Sequence, residues 1–471
     1  MMNASKTIAF ALVLSCGYAQ AQPTAPMPKP ASWYIAHAPF SMPPVVQPQF
    51  PQRDFRITDY GANGNGQALN TGAFMKAIKA CSDAGGGHVI VPAGTWLTGS
   101  IEFMSHVDLH LEKGAVIQFS KDHTKYFAEY GNIYPPLFGH NLDDIAITGE
   151  GIIDGAGEAW RPVKREKMTD QQWQRLLASG GVLSPDGKIW WPSQEALKLE
   201  RVRPYMVTFN DCHRVLVQGV TLRNSPKFVF YPQHCTDVTV DRVHVYNDWW
   251  AQNGDGIDIS ACKRVMIYGC TVNAGDDGIC MKSSGASPDG PALEDVIIAG
   301  CTVLRAHGGF VIGSNTDGGM HDIFVSDCHF TGTDVGLRFK SNIGRGGLVS
   351  DIYVSDITMR NIVREAVLFD TYYEDRPAGA TRSKQKPTGK TPEFRDFHIS
   401  HIDCRGAATA IAITGLPQMP VSNIAFDSVI IQSKKGLIAT QCRNITLHDV
   451  RLDVEDKPAI QADQTAEVKV E

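Results

Sequence analysis

Short segments of alternating apolar and polar residues recur along most of the chain. Each opens on an acidic or polar residue and continues as Val/Ile-x-Val/Ile. They include DIAITGEGIID (144–154), RVLVQGVTL (214–222), DVTVDRVHV (237–245), RVMIYGCTV (264–272), DVIIAGCTV (295–303), DIFVSDCHF (322–330), DIYVSDITM (351–359), DFHISHIDC (396–404), NIAFDSVII (423–431) and NITLHDVRL (444–452). The first apolar residues, Val215, Val238, Val265, Val296, Ile323 and Ile352, recur every ~23 to 31 residues. A period of that size built of strands and turns predicts a solenoid. A β-sandwich would share the strand composition but not the period. The expected fold is therefore all-β, a single-domain right-handed parallel β-helix. The segment TGAFMKAIKACSDAGGG places Phe74, Ile78 and Cys81 at helical spacing and ends on glycines, which predicts a short N-terminal capping helix.

A second strand follows in each coil: GIDIS (256–260), GICMKS (278–283), GFVIGS (309–314), GLRFKS (336–341) and AVLFDT (366–371). Aligned on their first residues, they put Ile257/Ile259, Ile279/Met281, Phe310/Ile312, Leu337/Phe339 and Val367/Phe369 inward. Alternation then sends Asp258, Cys280/Lys282, Val311/Gly313, Arg338/Lys340 and Leu368/Asp370 outward.

Residues 1–21 read as an export signal, with Lys6 before the apolar run TIAFALVLSCGYA and cleavage expected after Ala21. VLSC at 13–16 fits a lipoprotein signal poorly, so anchoring at Cys16 is the weaker alternative to a periplasmic or secreted protein. Residues 22–54 form a Pro-rich leader on the surface, and 55–471 the β-helix. No other segment is long and apolar enough to span a membrane. A formal charge of −6 argues against nucleic acid and requires a local cationic cluster for any anionic substrate. Export permits disulfides, but most cysteines fall inside strand runs, where buried thiols are at least as good a reading. A monomer is expected.

The alignment also gathers chemistry. Asp255 and Asp277 share one position on neighbouring coils, and Asp276 and His307 share the one before it. Coils stack about 4.8 Å apart, so three carboxylates and an imidazole fall within a side chain's reach. Arg338 and Lys340 face the same way one coil beyond. Taken singly, each has a plain structural reading: a turn Asp beside Gly, a structural His, solvated charges on a strand. The joint register singles them out. Crowded carboxylates cannot all ionise freely, so one keeps its proton as an acid while another activates water, as hydrolysis of a glycosidic bond requires. Arg338 and Lys340 suit a substrate carboxylate.

Asn253-Gly254-Asp255-Gly256, Gly275-Asp276-Asp277, His307-Gly308-Gly309 and Arg338-Phe339-Lys340 resemble, in order, the motifs of the polygalacturonases of glycoside hydrolase family 28. The similarity spans roughly 55–455, and Tyr373 matches a further family position. The resemblance implies inverting hydrolysis of α-1,4-linked galacturonate. Asp276 would be the general acid, Asp255 and Asp277 the pair activating water, and His307 the support for the acid. Arg338, Lys340 and Tyr373 would hold the sugar. It implies no metal and no cofactor. Gly254 and Phe339 depart from the usual Thr and Ile. A literal Asn315-Thr316-Asp317-Gly318 falls between strands, and Asp317 is not expected to be catalytic. Insertions at 157–203, with Trp160, Trp173, Trp190 and Trp191, and at 374–394 flank the groove and favour exo action on a pectic chain. The alternatives are an endo enzyme, a hydrolase of rhamnogalacturonan or xylogalacturonan, and a non-catalytic β-helix that binds polysaccharide.

Overall fold

A computed structural model describes residues 29–126, 128–129, 131–285, 292–373 and 386–471. The expected signal 1–21, with Cys16, lies outside the described residues, as does 374–385 of the second insertion. Among the described residues no helix is long and apolar enough to cross a membrane.

The chain winds as a right-handed parallel β-helix with three strand ladders per coil. The anchor strands stack as predicted, Val215 on Val238, Val265, Val296, Ile323 and Ile352. The polar residue before each anchor has a structural reason. Asp144, Arg214, Asp237, Arg264, Asp295, Asp322 and Asp351 take the left-handed conformation, φ between 52° and 60°, where short polar side chains such as Asp are tolerated best. Each coil therefore turns its corner on that residue. A second ladder of three-residue strands follows, from Thr221–Arg223 to His329–Thr331.

The third ladder carries the groove. Ile257–Ser260, Asp277–Lys282, Gly308–Ile312, Val335–Lys340 and Glu365–Asp370 pair in parallel, Ile257 on Ile279, Phe310, Leu337 and Val367. This is the register expected from the repeat. Inward Phe310, Phe339, Phe369 and Phe397 stack through the core with ring centroids 4.6–6.2 Å apart. The helix Thr71–Asp83 buries Phe74, Ile78 and Cys81 and closes the N-terminal end. The ten described cysteines are all buried and free, so they act as core thiols rather than bridges.

Residues 29–50 are more than a surface leader. The helix Ala31–Ala36 buries Tyr34 against Met266, Ile297, Ala299 and Phe324 on the outer face of the anchor ladder. The Tyr34 hydroxyl donates to Asp327 at 2.7 Å. The first insertion is also ordered. It forms a three-stranded antiparallel sheet and the helix Asp170–Ala178, and its four tryptophans are buried.

Candidate active site

Two turns build the acidic end of the groove. Asn253 is left-handed (φ 52°) and starts the turn that carries Asp255. The carbonyl of Gly254 accepts from the Gly275 amide at 3.1 Å and from Asn247 Nδ2 at 3.2 Å, tying this turn to the one that carries Asp276 and Asp277. A Cβ at Gly254 would lie 2.8 Å from Ala251 Cβ and 2.9 Å from Asn247 Nδ2. A Thr here, usual in the motif this turn resembles, would force the turn to shift. Arg203, from the insertion, bonds Asn253 Oδ1 (3.1 Å) and the carbonyls of Gln252 and Pro226, which fixes the same turn from outside.

Asp255, Asp276 and Asp277 converge as expected, with one oxygen of each within 4.8 Å of the others. Three oxygens so placed could reach one cation, but Lys282, Arg338 and Lys340 already bring positive charge to the cluster. Arg338 Nη1 donates to one Asp277 oxygen at 2.8 Å and Lys340 Nζ to the other at 2.7 Å. The two cations expected on an exposed strand face are therefore buried and paired within the protein. Covering loops and charge pairing, invisible in strand alternation, account for that difference. Tyr373 lies beside both, its ring 5.4 Å from the guanidinium and 4.8 Å from the ammonium. His307 Nδ1 sits 3.0 Å from Asp276 Oδ1. Asp317 is outside this cluster and accepts from the Gly285 amide.

The electrostatics divide the carboxylates. Burial pushes Asp255 well above the usual carboxylate range, helped by the charges of Asp258 and Asp276. Burial also raises Asp277, but Lys340, Arg338 and Lys282 outweigh it and hold it far below. At Asp276 burial is likewise outweighed, here by the hydrogen bond from His307, and the net direction is down. The directions of these shifts favour a retained proton at Asp255 over Asp276 and Asp277, whereas the resemblance gives the acid's role to Asp276. Asp276 is the most open of the three, its side chain 18% exposed against 4% and 2% for Asp255 and Asp277.

Several neighbours carry no motif in the sequence. Strand alternation faces Asp258 and Lys282 outward and says nothing more of them. Lys282 Nζ lies 3.7 Å from Asp258 and 3.9 Å from Asp255. Lys167, Arg203 and Asn247 come from segments with no motif at all. Asp258 is fully buried, and among the described residues neither of its oxygens has a hydrogen-bond partner. Burial, together with Asp277 and Asp276, raises it to about 7 against the pull of Lys282. A raised folded value contributes stability that is complete below the unfolded value and lost as pH rises through the folded one. The protein is thus expected to lose stability as pH rises from the ordinary carboxylate range to about 7, with little further change from this group above that. Asp258→Asn should remove this group's share, up to ~4 kcal/mol at about 1.4 kcal/mol per tenfold. Denaturation midpoints measured from the ordinary carboxylate range up to neutrality, for both proteins, check this.

Residues 164–454 match the model of the family described as Glycosyl hydrolases family 28. The chain belongs to this family. It is a glycoside hydrolase, and the family implies a pectic substrate. A probable polygalacturonase of Vitis vinifera is 28% identical over 80% of this chain and 73% of its own length. An exo-poly-alpha-D-galacturonosidase of Dickeya chrysanthemi is 27% identical over 84% of this chain and 71% of its own. The crystal structure of an exopolygalacturonase from Thermotoga maritima superposes with a TM-score of 0.71, at 25% identity, covering 90% of this chain and 95% of that one. The family 28 match covers the groove strands and every residue of the acid cluster.

Proposed function

We propose that this protein is an exported, exo-acting, inverting hydrolase of α-1,4-linked galacturonate. The observation that carries the reading is the double ion pair of Asp277 with Arg338 and Lys340 inside the acid cluster. A galacturonate carboxylate bound there competes with Asp277 for both cations. Asp277, once released, becomes basic enough to take a proton from water together with Asp255. The added negative charge raises Asp276, which takes over the proton that Asp255 held and leaves Asp255 ionised. Asp276 then gives that proton to the glycosidic oxygen, the bond from that oxygen to the anomeric carbon breaks, and the water oxygen adds from the other face.

Two features support exo action beside the exo-acting relatives. Tyr205, Phe228 and Tyr231 pack at centroid distances of 4.7–5.2 Å on the N-terminal side of Asp258, with Lys282 5.3 Å from the Phe228 ring. We read this packed cluster as a wall that narrows the groove on that side. The insertion 157–203 reaches the cluster through Lys167, which meets His307.

Incubation with polygalacturonate tests this directly. Short products are expected from the outset, while viscosity falls only slowly, and proton NMR should show the β-anomer first. A fast viscosity drop ahead of reducing ends would make it endo, and net retention would overturn the acid/base assignment. Cleavage of rhamnogalacturonan or xylogalacturonan in preference to trigalacturonate would move the substrate, and binding without any cleavage would favour the non-catalytic alternative.

A further inference from the structure

We infer that Lys167 fixes the tautomer of His307 and so decides which oxygen of Asp276 carries the proton it donates. This rests on the reading that Asp276 is the general acid, and it adds a positioning residue from the insertion.

Lys167 ends the turn Arg165–Lys167, just before the helix Asp170–Ala178. That helix is fastened by a reciprocal cap between Thr169 and Gln172, and by Trp173, which packs with Trp190 and Val163. The turn is therefore held in place independently of His307. Lys167 Nζ meets three acceptors: the Gly275 carbonyl at 2.9 Å, His307 Nε2 at 2.9 Å and the Trp249 carbonyl at 3.3 Å. An ammonium has three hydrogens and accepts nothing. Every donor is used, none is left for a sugar, and Nε2 is the accepting nitrogen of the ring.

A neutral imidazole carries one N–H, which must then lie on Nδ1 and point at Asp276 Oδ1, 3.0 Å away. Oδ1 is occupied as an acceptor. When Asp276 is protonated, its hydrogen is confined to Oδ2, the oxygen left free for the glycosidic oxygen. In the opposite tautomer Nδ1 would accept, and the acid's proton would be held by the imidazole instead.

The surrounding charges show why the lysine is needed. Asp334 lies 3.8 Å from His307 Nε2 and would attract an N–H to that nitrogen. Lys167 stands against it, itself desolvated and facing Asp276, Asp334, Lys164 and Glu166. Without Lys167, Asp334 and Asp276 compete for the one ring proton, and the tautomer that frees Oδ2 loses its lock.

The test uses protein labelled with ¹⁵N at histidine and two substrates. In the wild type, His307 should show a protonated Nδ1 and a bare Nε2, and Lys167→Met should shift the proton toward Nε2. On trigalacturonate, Lys167→Met should lower kcat by about 10²-fold, the low end for general acid catalysis, with KM little changed. On an aryl galacturonide whose nitrophenolate leaves without a proton, the loss should be small. Equal losses on both substrates would make Lys167 merely structural and overturn the inference, as would a wild-type His307 protonated at Nε2. The NMR result decides alone if Lys167→Met does not fold. Asp276→Asn separates the two layers. If it shows the substrate split and Lys167→Met does not, only the role of Lys167 falls. If Asp276→Asn shows no split, Asp276 is not the acid, and both readings fall together.

Discussion

Replacing Asp277 with Ala is expected to destabilise the protein by about 3–5 kcal/mol, the range for breaking a buried ion pair from one side. It should also lower kcat by about 10²- to 10⁴-fold, as loss of a general base does. Arg338 and Lys340 are 8% and 5% exposed, and both Asp277 oxygens serve them. Without Asp277, two buried positive charges lack their partner. A ligand carboxylate can take that place. Free galacturonate should therefore stabilise Asp277→Ala more than it stabilises the wild type, where it must first displace Asp277. Urea denaturation with and without galacturonate measures the difference. Equal ligand shifts would mean that the substrate carboxylate binds elsewhere.

The fold was legible because its repeat states it several times over. Each anchor residue, each inward pair and the left-handed polar residue before the anchor recur in every coil, so one misread coil could not shift the register. The acid cluster was legible for the same reason. Asp255 against Asp277, and Asp276 against His307, follow from the strand alignment alone. What the alignment could not show is how far the groove is buried, and who pairs with whom inside it. Side-chain alternation says that Arg338 points outward. It does not say that Asp277 waits two coils below to bind it. Lys167 and Arg203 were beyond reach for a different reason. They sit in a non-repeating insertion, where no neighbouring coil supplies a reference position. The tryptophans of that insertion gave a visible signal, but they are packing residues. The lysine that meets the site lies between them, unmarked. The leader was underestimated too, because Tyr34 packs on outward-facing Met266 and Phe324, apolar residues that the inward/outward pattern treats as solvent positions.

Lys340→Met is expected to lower kcat/KM on trigalacturonate by about 10- to 10²-fold, since a charge-assisted hydrogen bond contributes roughly 1.5–3 kcal/mol. The same change should remove most of the preference for the free acid over its methyl ester, because the ester has no charge for Lys340 to meet. A pH signature accompanies the loss. Burial raises Asp277, and Lys340 is the foremost of the cations that hold it down. Without Lys340 its value climbs toward the ordinary range or above. A general base works only when ionised, so activity on the acid side should now fail at a higher pH than in the wild type. Profiles of kcat/KM on both substrates check the two effects together. A uniform loss on acid and ester, with the acid limb unmoved, would show that Lys340 braces the strand Val335–Lys340 and neither recognises the substrate nor tunes the base. Arg338→Gln is expected to follow the same pattern. It meets the other Asp277 oxygen, and among the described residues its buried Nε has no partner, a donor to which a planar sugar carboxylate could add a second bond.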